Sequence, residues 1–169
     1  MWNTILTSIF GVSSEDRQLP ATRLASISPS QEALLMAFVA FLDENLVTHT
    51  SSHEKRGVFL KLINELLRLT PSNLIAIVLT KSMVRCIVSI RINKKHTLYA
   101  LAGATLNNLV TLTTEAEGGD AQGCLAIANT LVQYEGAMFD AKTNSTTVKD
   151  LLSGLDSAMV LSYVRTLAE

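Results

Sequence analysis

Five cations stand in the stretch "LTKSMVRCIVSIRINKKH", residues 79–96: Lys81, Arg85, Arg91, Lys94 and Lys95. They are set among the Val, Ile, Met and Cys of a buried element, and no acidic residue accompanies them. Lys81 and Arg85 are four apart, so on a helix they share a face, while Val84, Ile87, Val88 and Ile90 point elsewhere. Arg91, Lys94 and Lys95 gather at the C-terminal end of that helix. The chemistry open to such a set is the binding of a polyanion. Two readings stay open. In one, the cations are a solvated face, and Arg91 and Lys94 favour the helix C-terminus by about 0.3–1 kcal/mol each. In the other, they meet the phosphates of a nucleic acid or an acidic protein. No aromatic side chains are interleaved for base stacking and no known nucleic-acid module is present, so binding of that kind would be non-specific.

The charge of the whole chain sharpens this asymmetry. The 169 residues carry a net charge of −1. Residues 1–65 contribute −2, residues 66–114 contribute +6 with no acid at all, and residues 115–169 contribute −5. Such a distribution bears on partners rather than on fold.

Other residues with chemical potential carry less. His49 and His53 are spaced i, i+4 with Glu54 adjacent, so both imidazoles of a helix would reach one zinc. The order is H-T-S-S-H-E, with no general base between the ligands, and the segment reads as a solvated connection entering a helix. "GGDAQG" at 118–123 resembles a phosphate loop only in its glycines. It lacks the G-x-G-x-x-G order and follows a helix, so it reads as an interhelical turn. Cys86 and Cys124 lie in apolar surroundings, which favour an inert thiol and exclude a disulfide scaffold. No nucleophile elbow or paired-carboxylate motif occurs, so the expectation is no enzyme, no cofactor, no metal and no small-molecule substrate.

The elements that must position the cations are helices. Charged residues make up 17% and aromatics 5% of a chain with only three prolines, and the mean hydropathy is +0.30. This composition specifies a folded, helix-rich chain with one core. "MWNTILTSIFGV" lacks the basic start of a signal peptide, and the apolar run at 33–42 is too short for a bilayer, so no membrane partner is expected. Residues 11–28 read as a loop. Ser28 caps a helix with Pro29 at its first position and Glu32 in its first turn. Ser51 or Ser52 opens a second helix that ends before Pro71. "SNLIAIVL" reads as a short helix, with a strand as the alternative. Thr80 caps the basic helix, Asn93 interrupts it, and a long helix follows to about residue 114. Residues 121–135 form another helix and "MFDAKTNS" reads as a loop. Thr146 or Thr147 begins a short helix, and Asp156 caps the last. Helix pairs recurring at roughly 40–47 residues point to an all-α HEAT/armadillo-like helical repeat, an α-solenoid segment, over residues 1–169. A closed bundle produces the same pattern. A segment of a longer superhelix leaves end faces uncovered: Trp2, Ile5, Ile9 and Phe10 would cover one end, and Val160, Tyr163, Val164 and Leu167 would pack on one neighbour, which predicts self-association.

Two segments carry a family resemblance. "FLKLINELLRLTPSNLIAIVLTKSMVRCIVS" (59–89) and "FDAKTNSTTVKDLLSGLDSAMVLSYVRTLAE" (139–169) resemble the repeat region of the DNA polymerase phi family, fungal nucleolar proteins related to the vertebrate Myb-binding protein. The first has a Leu/Thr-rich entry into a Val-Arg-Cys helix; the second has a Thr/Lys-rich loop before a Val-x-x-Leu-Leu helix. The resemblance implies a non-enzymatic nucleolar scaffold in ribosomal RNA transcription and ribosome biogenesis. Its partners would be nucleolar proteins and ribosomal DNA or RNA, in the nucleus. Family members are several times longer, with an acidic segment and a basic tail, so the chain reads as a fragment or a divergent short copy. The alternative is a helical-repeat adaptor that binds a partner helix or peptide in an apolar groove, without nucleic acid.

Overall fold

The computed structural model describes residues 2–11, 26–48, 51–114 and 120–167, and every regular element among them is helical. These are α1 (Trp2–Phe10), α2 (Pro29–Leu46), α3 (His53–Leu69), α4 (Ile75–Val78, entered through a 3-10 turn), α5 (Lys81–Ile92), α6 (Tyr99–Thr114), α7 (Ala121–Glu135), α8 (Phe139–Thr143), α9 (Thr147–Ser153) and α10 (Ser157–Leu167). Most of the expected loop, residues 12–25, lies outside the described residues, as do His49 and the glycines at 118 and 119.

The helix starts follow local chemistry. Ser28 forms a full capping box: its hydroxyl accepts from the Gln31 N–H, and the Gln31 side chain accepts from the Ser28 N–H. Ser52, rather than Ser51, caps α3 by accepting from the Lys55 N–H. Thr80 caps α5 through the Met83 N–H, and the Asp156 carboxylate accepts from Met159 N–H at 2.8 Å at the start of α10. The "SNLIAIVL" segment is helical, not a strand.

One expectation needs correction. "MFDAKTNS" contains the helix α8, because Phe139 is fully buried and anchors a single turn that Asn144 ends in left-handed geometry at φ 50°. Five residues are too few to display helical periodicity. Helix α9 begins at Thr147, as expected, although neither Thr146 nor Thr147 caps it with its side chain. The Asp140 carboxylate does so from α8, accepting from the Val148 and Lys149 N–H groups at 3.0 Å each. The Thr146 hydroxyl donates instead to Asp150.

The helices pack in two rows. One runs α3, α6, α9; the other runs α2, α4 with α5, then α7, then α10. The pairs α2 with α3, α5 with α6, and α7 with α9 join the rows, and one continuous core runs between them. Helix α6 is therefore flanked by α3 and α9, which accounts for apolar residues on more than one of its faces. Its register on α3 is set by a short polar ladder. Asn108 Nδ2 donates to Asn64 Oδ1 at 3.1 Å, and Asn64 Nδ2 donates to Thr105 Oγ1 at 3.2 Å. The buried threonines 70, 113 and 143 return their hydroxyls to carbonyls four residues back, so none is left unpaired in the core.

The ends differ. At one end, Ile9 and Phe10 of α1 are buried and Trp2 packs against Phe38 and Phe41 of α2, leaving Leu34 and Phe41 exposed. At the other, α10 rests on α7 through Tyr163, with Val160, Leu161 and Val164 exposed. The Leu167 side chain lies outside the described residues. Among the described residues no helix is long and apolar enough to cross a membrane.

Candidate nucleic-acid interface

Helix α5 divides its residues sharply. Met83, Val84, Cys86, Ile87, Val88 and Ile90 are buried, while Lys81 and Arg85 are exposed one turn apart. The twelve-residue helix is about 18 Å long, so its two ends are separate surfaces.

At the N-terminal end acids accompany the cations. The Thr80 hydroxyl donates to the Asp43 carboxylate at 2.7 Å while capping the helix. Arg85 Nε lies 3.7 Å from Glu135 Oε1, and the Lys142 ammonium holds the other oxygen of Glu135 at 3.2 Å. At 3.7 Å and with the Arg85 side chain exposed, this pair contributes little to stability, but it places a carboxylate in the field of Arg85. Lys81 makes no ion pair among the described residues.

At the C-terminal end the three cations separate in role. Arg91 is turned inward. Its Nε donates to the Thr143 carbonyl at 3.0 Å, Nη2 to the Asn144 carbonyl at 3.0 Å, and Nη1 to the Tyr99 carbonyl at 3.3 Å. Its guanidinium carbon lies 3.9 Å from the centre of the Tyr99 ring. Arg91 thus serves the open carbonyls at the end of α8 rather than those of its own helix, and it joins α5, α6 and α8. Gly103 leaves room for it: a Cβ there would stand 2.9 Å from Nη1. Lys94 and Lys95 remain outside, exposed on the 93–98 turn with no ion pair among the described residues. The Asn93 side chain shapes that turn by accepting from the Lys95 N–H at 3.0 Å. The cations that remain outward and unpaired are Lys81, Lys94 and Lys95, with Arg85 shared with Glu135.

The turn also brings a residue that the sequence did not nominate. His96 stands beside His53 at the start of α3, with ring centres 4.8 Å apart. The Leu98 N–H donates to His96 Nδ1, which leaves the ring proton of the neutral form on Nε2. Burial first, then the neighbouring His53 and Arg56 charges, hold the His96 pKa below its usual value. No spacing rule links positions 53 and 96, so only the packing of the turn on α3 reveals the pair.

The remaining candidates have structural roles. Among the described residues no three His, Cys, Asp or Glu side chains group to hold a metal. The first turn of α7 is filled by the Asp120 carboxylate, which accepts from the Gly123 N–H at 2.8 Å, and a Cβ on Gly123 would collide with it. That turn presents a carboxylate where a phosphate would need donors. Cys86 and Cys124 are buried thiols not joined in a disulfide, and burial pushes the Cys86 pKa up to about 11 against a smaller opposing effect of Arg56. An open groove of about 560 Å³ lies between α6 and the 144–147 turn, lined by Gly103, Asn107, Thr111, Asn144, Thr146 and Asp150 among others. Its lining is mainly polar, unlike the apolar groove an adaptor would use.

No curated protein and no solved structure matches the chain. A family model does, and it spans residues 1–169 without a gap at either end. The matched span contains both rows of helices and the whole basic segment, and the match is compatible with a nuclear protein. The chain belongs to the DNA polymerase phi family.

Proposed function

We propose that this chain is a HEAT/armadillo-like segment that serves as a non-enzymatic nucleolar scaffold in ribosomal RNA transcription and ribosome biogenesis. In this role it touches nucleic-acid phosphates non-specifically. The two rows of helices support the repeat reading, because successive helix pairs meet through like elements: α3 on α6 on α9, and α5 on α7. The observation that carries the nucleic-acid contact is the acid-free 93–98 turn, where Lys94 and Lys95 are exposed and unpaired among the described residues. Ammonium groups held this way displace the counterions of a phosphate backbone without reading its bases. Arg91 is not part of this contact, since its donors are committed to carbonyls.

The test is binding of the full chain to a structured RNA and to duplex DNA across a salt series. Log K should fall linearly with log salt, with similar affinity for unrelated sequences. Replacing Lys81, Arg85, Lys94 and Lys95 with Gln should leave the helical circular-dichroism signal intact and flatten the slope by roughly one unit per lost contact. If neither nucleic acid binds at low salt, the protein-adaptor reading takes precedence. The exposed apolar faces at Leu34 and Phe41 and at Val160, Leu161 and Val164 favour that second reading.

A further inference from the structure

Arg56 stands on the first turns of α3, one turn after His53, and is half-buried. Its side chain makes no hydrogen bond or ion pair among the described residues, and its Nε is shut off from solvent without a partner. A buried N–H without an acceptor is rare, so the Arg56 Nε marks a place where an acceptor is missing. The His53 and His96 rings lie beside one another at 4.8 Å. Leu98 Cδ2 would lie 3.5 Å from a Cβ at Gly57, an ordinary contact distance, so the 93–98 turn packs on the first turns of α3 there. That turn carries Lys94 and Lys95 as well. Glu54, Lys55 and Arg56 follow His53 on α3, and Lys94 and Lys95 precede His96 on the turn; the Arg56 charge acts on His96 and also on the buried thiol of Cys86 on α5. Glu54 is exposed and forms no ion pair among the described residues, so the cations have no internal counterion.

We propose that His53, Arg56 and His96, with Lys94 and Lys95 beside them, form a phosphate site that takes a backbone phosphate of RNA or DNA. The inference rests on the nucleic-acid reading above and gives it a location. The guanidinium supplies paired donors for a phosphate, the His96 Nε2–H supplies another, and the two lysines supply the surrounding field. The site is pH-dependent by construction. Protonating either imidazole adds a positive charge next to Arg56, which a bound phosphate offsets. Phosphate therefore raises the imidazole pKa values, and by linkage acidification tightens phosphate binding.

The experiment follows the imidazole Cε1–H resonances of the full chain from about pH 5 to pH 8, with and without inorganic phosphate, and measures RNA affinity over the same window. Phosphate should shift the His53 and His96 titration curves upward. RNA should bind more tightly at about pH 5.5 than at about pH 7.5. His53→Gln with His96→Gln should abolish that pH dependence while leaving the lysine-driven salt dependence. Arg56→Gln should flatten the salt slope by roughly one unit at any pH, and Arg56→Lys, which keeps the charge and the fold, should restore the slope. If RNA binds with a salt slope but the imidazole curves stay fixed, this site is overturned and the general nucleic-acid reading stands. If the curves shift with phosphate but no RNA binds, the nucleic-acid reading falls and the pocket is a site for small phosphates.

Discussion

The two ends of α5 carry cations of the same kind and put them to different uses. At the N-terminal end, Arg85 shares Glu135 with Lys142, and Asp43 sits on the capping hydroxyl of Thr80. At the C-terminal end, Arg91 is drawn inside by three carbonyls, and Lys94 and Lys95 are left outside next to two histidines and an arginine with uncommitted donors. A run of like charges in sequence is therefore not a patch in space. Carboxylates arriving from α2 and α7 offset one end and leave the other positive. The local field follows which elements pack around a cation, not how many cations stand in the row.

Three sets of substitutions break or sharpen this contrast. The largest effect belongs to the apolar side of the helix, on which both ends depend. Ile87 is 1% exposed, and Ile87→Ala should lower stability by about 2–5 kcal/mol in chemical denaturation. A change below about 1 kcal/mol would mean that α5 is not seated as described. Arg91 comes next. Arg91→Ala removes the charged partner of three carbonyls and should cost about 1.5–3 kcal/mol. Arg91→Lys should recover little of this, because an ammonium cannot fork across the end of α8 and lie over Tyr99 together. An Arg91 variant of parental stability with weakened RNA binding would return Arg91 to the exposed set.

The smallest effect on stability, and the sharpest on function, separates the two ends directly. Lys94→Gln with Lys95→Gln, and Lys81→Gln with Arg85→Gln, should each leave stability within about 0.5 kcal/mol per site. The Lys94/Lys95 pair should flatten the salt dependence of RNA binding by roughly two units, and the Lys81/Arg85 pair by about one unit or less. Equal slopes for the two pairs would show that Glu135 does not quench its end, and the contrast between the ends would be lost.

By itself the sequence determined the longer helices and most of their starting points. Ser28, Thr80 and Asp156 act through bonds to residues three positions away, and the apolar stripes of α3 and α5 repeat at helical spacing. Interactions of that range are written in local order. It also marked Lys81, Arg85, Lys94 and Lys95 as exposed cations, since apolar residues between them claim the core. What it left undecided depends on residues distant in the chain. Asp140 starts α9 from another helix, Arg91 reaches from α5 to the end of α8, and His96 meets His53 across more than forty positions. A side chain long enough to point outward or inward is assigned by the acceptor it finds. For Arg91 those acceptors are carbonyls left open at a helix end, and they exist only once α8 has packed against α5.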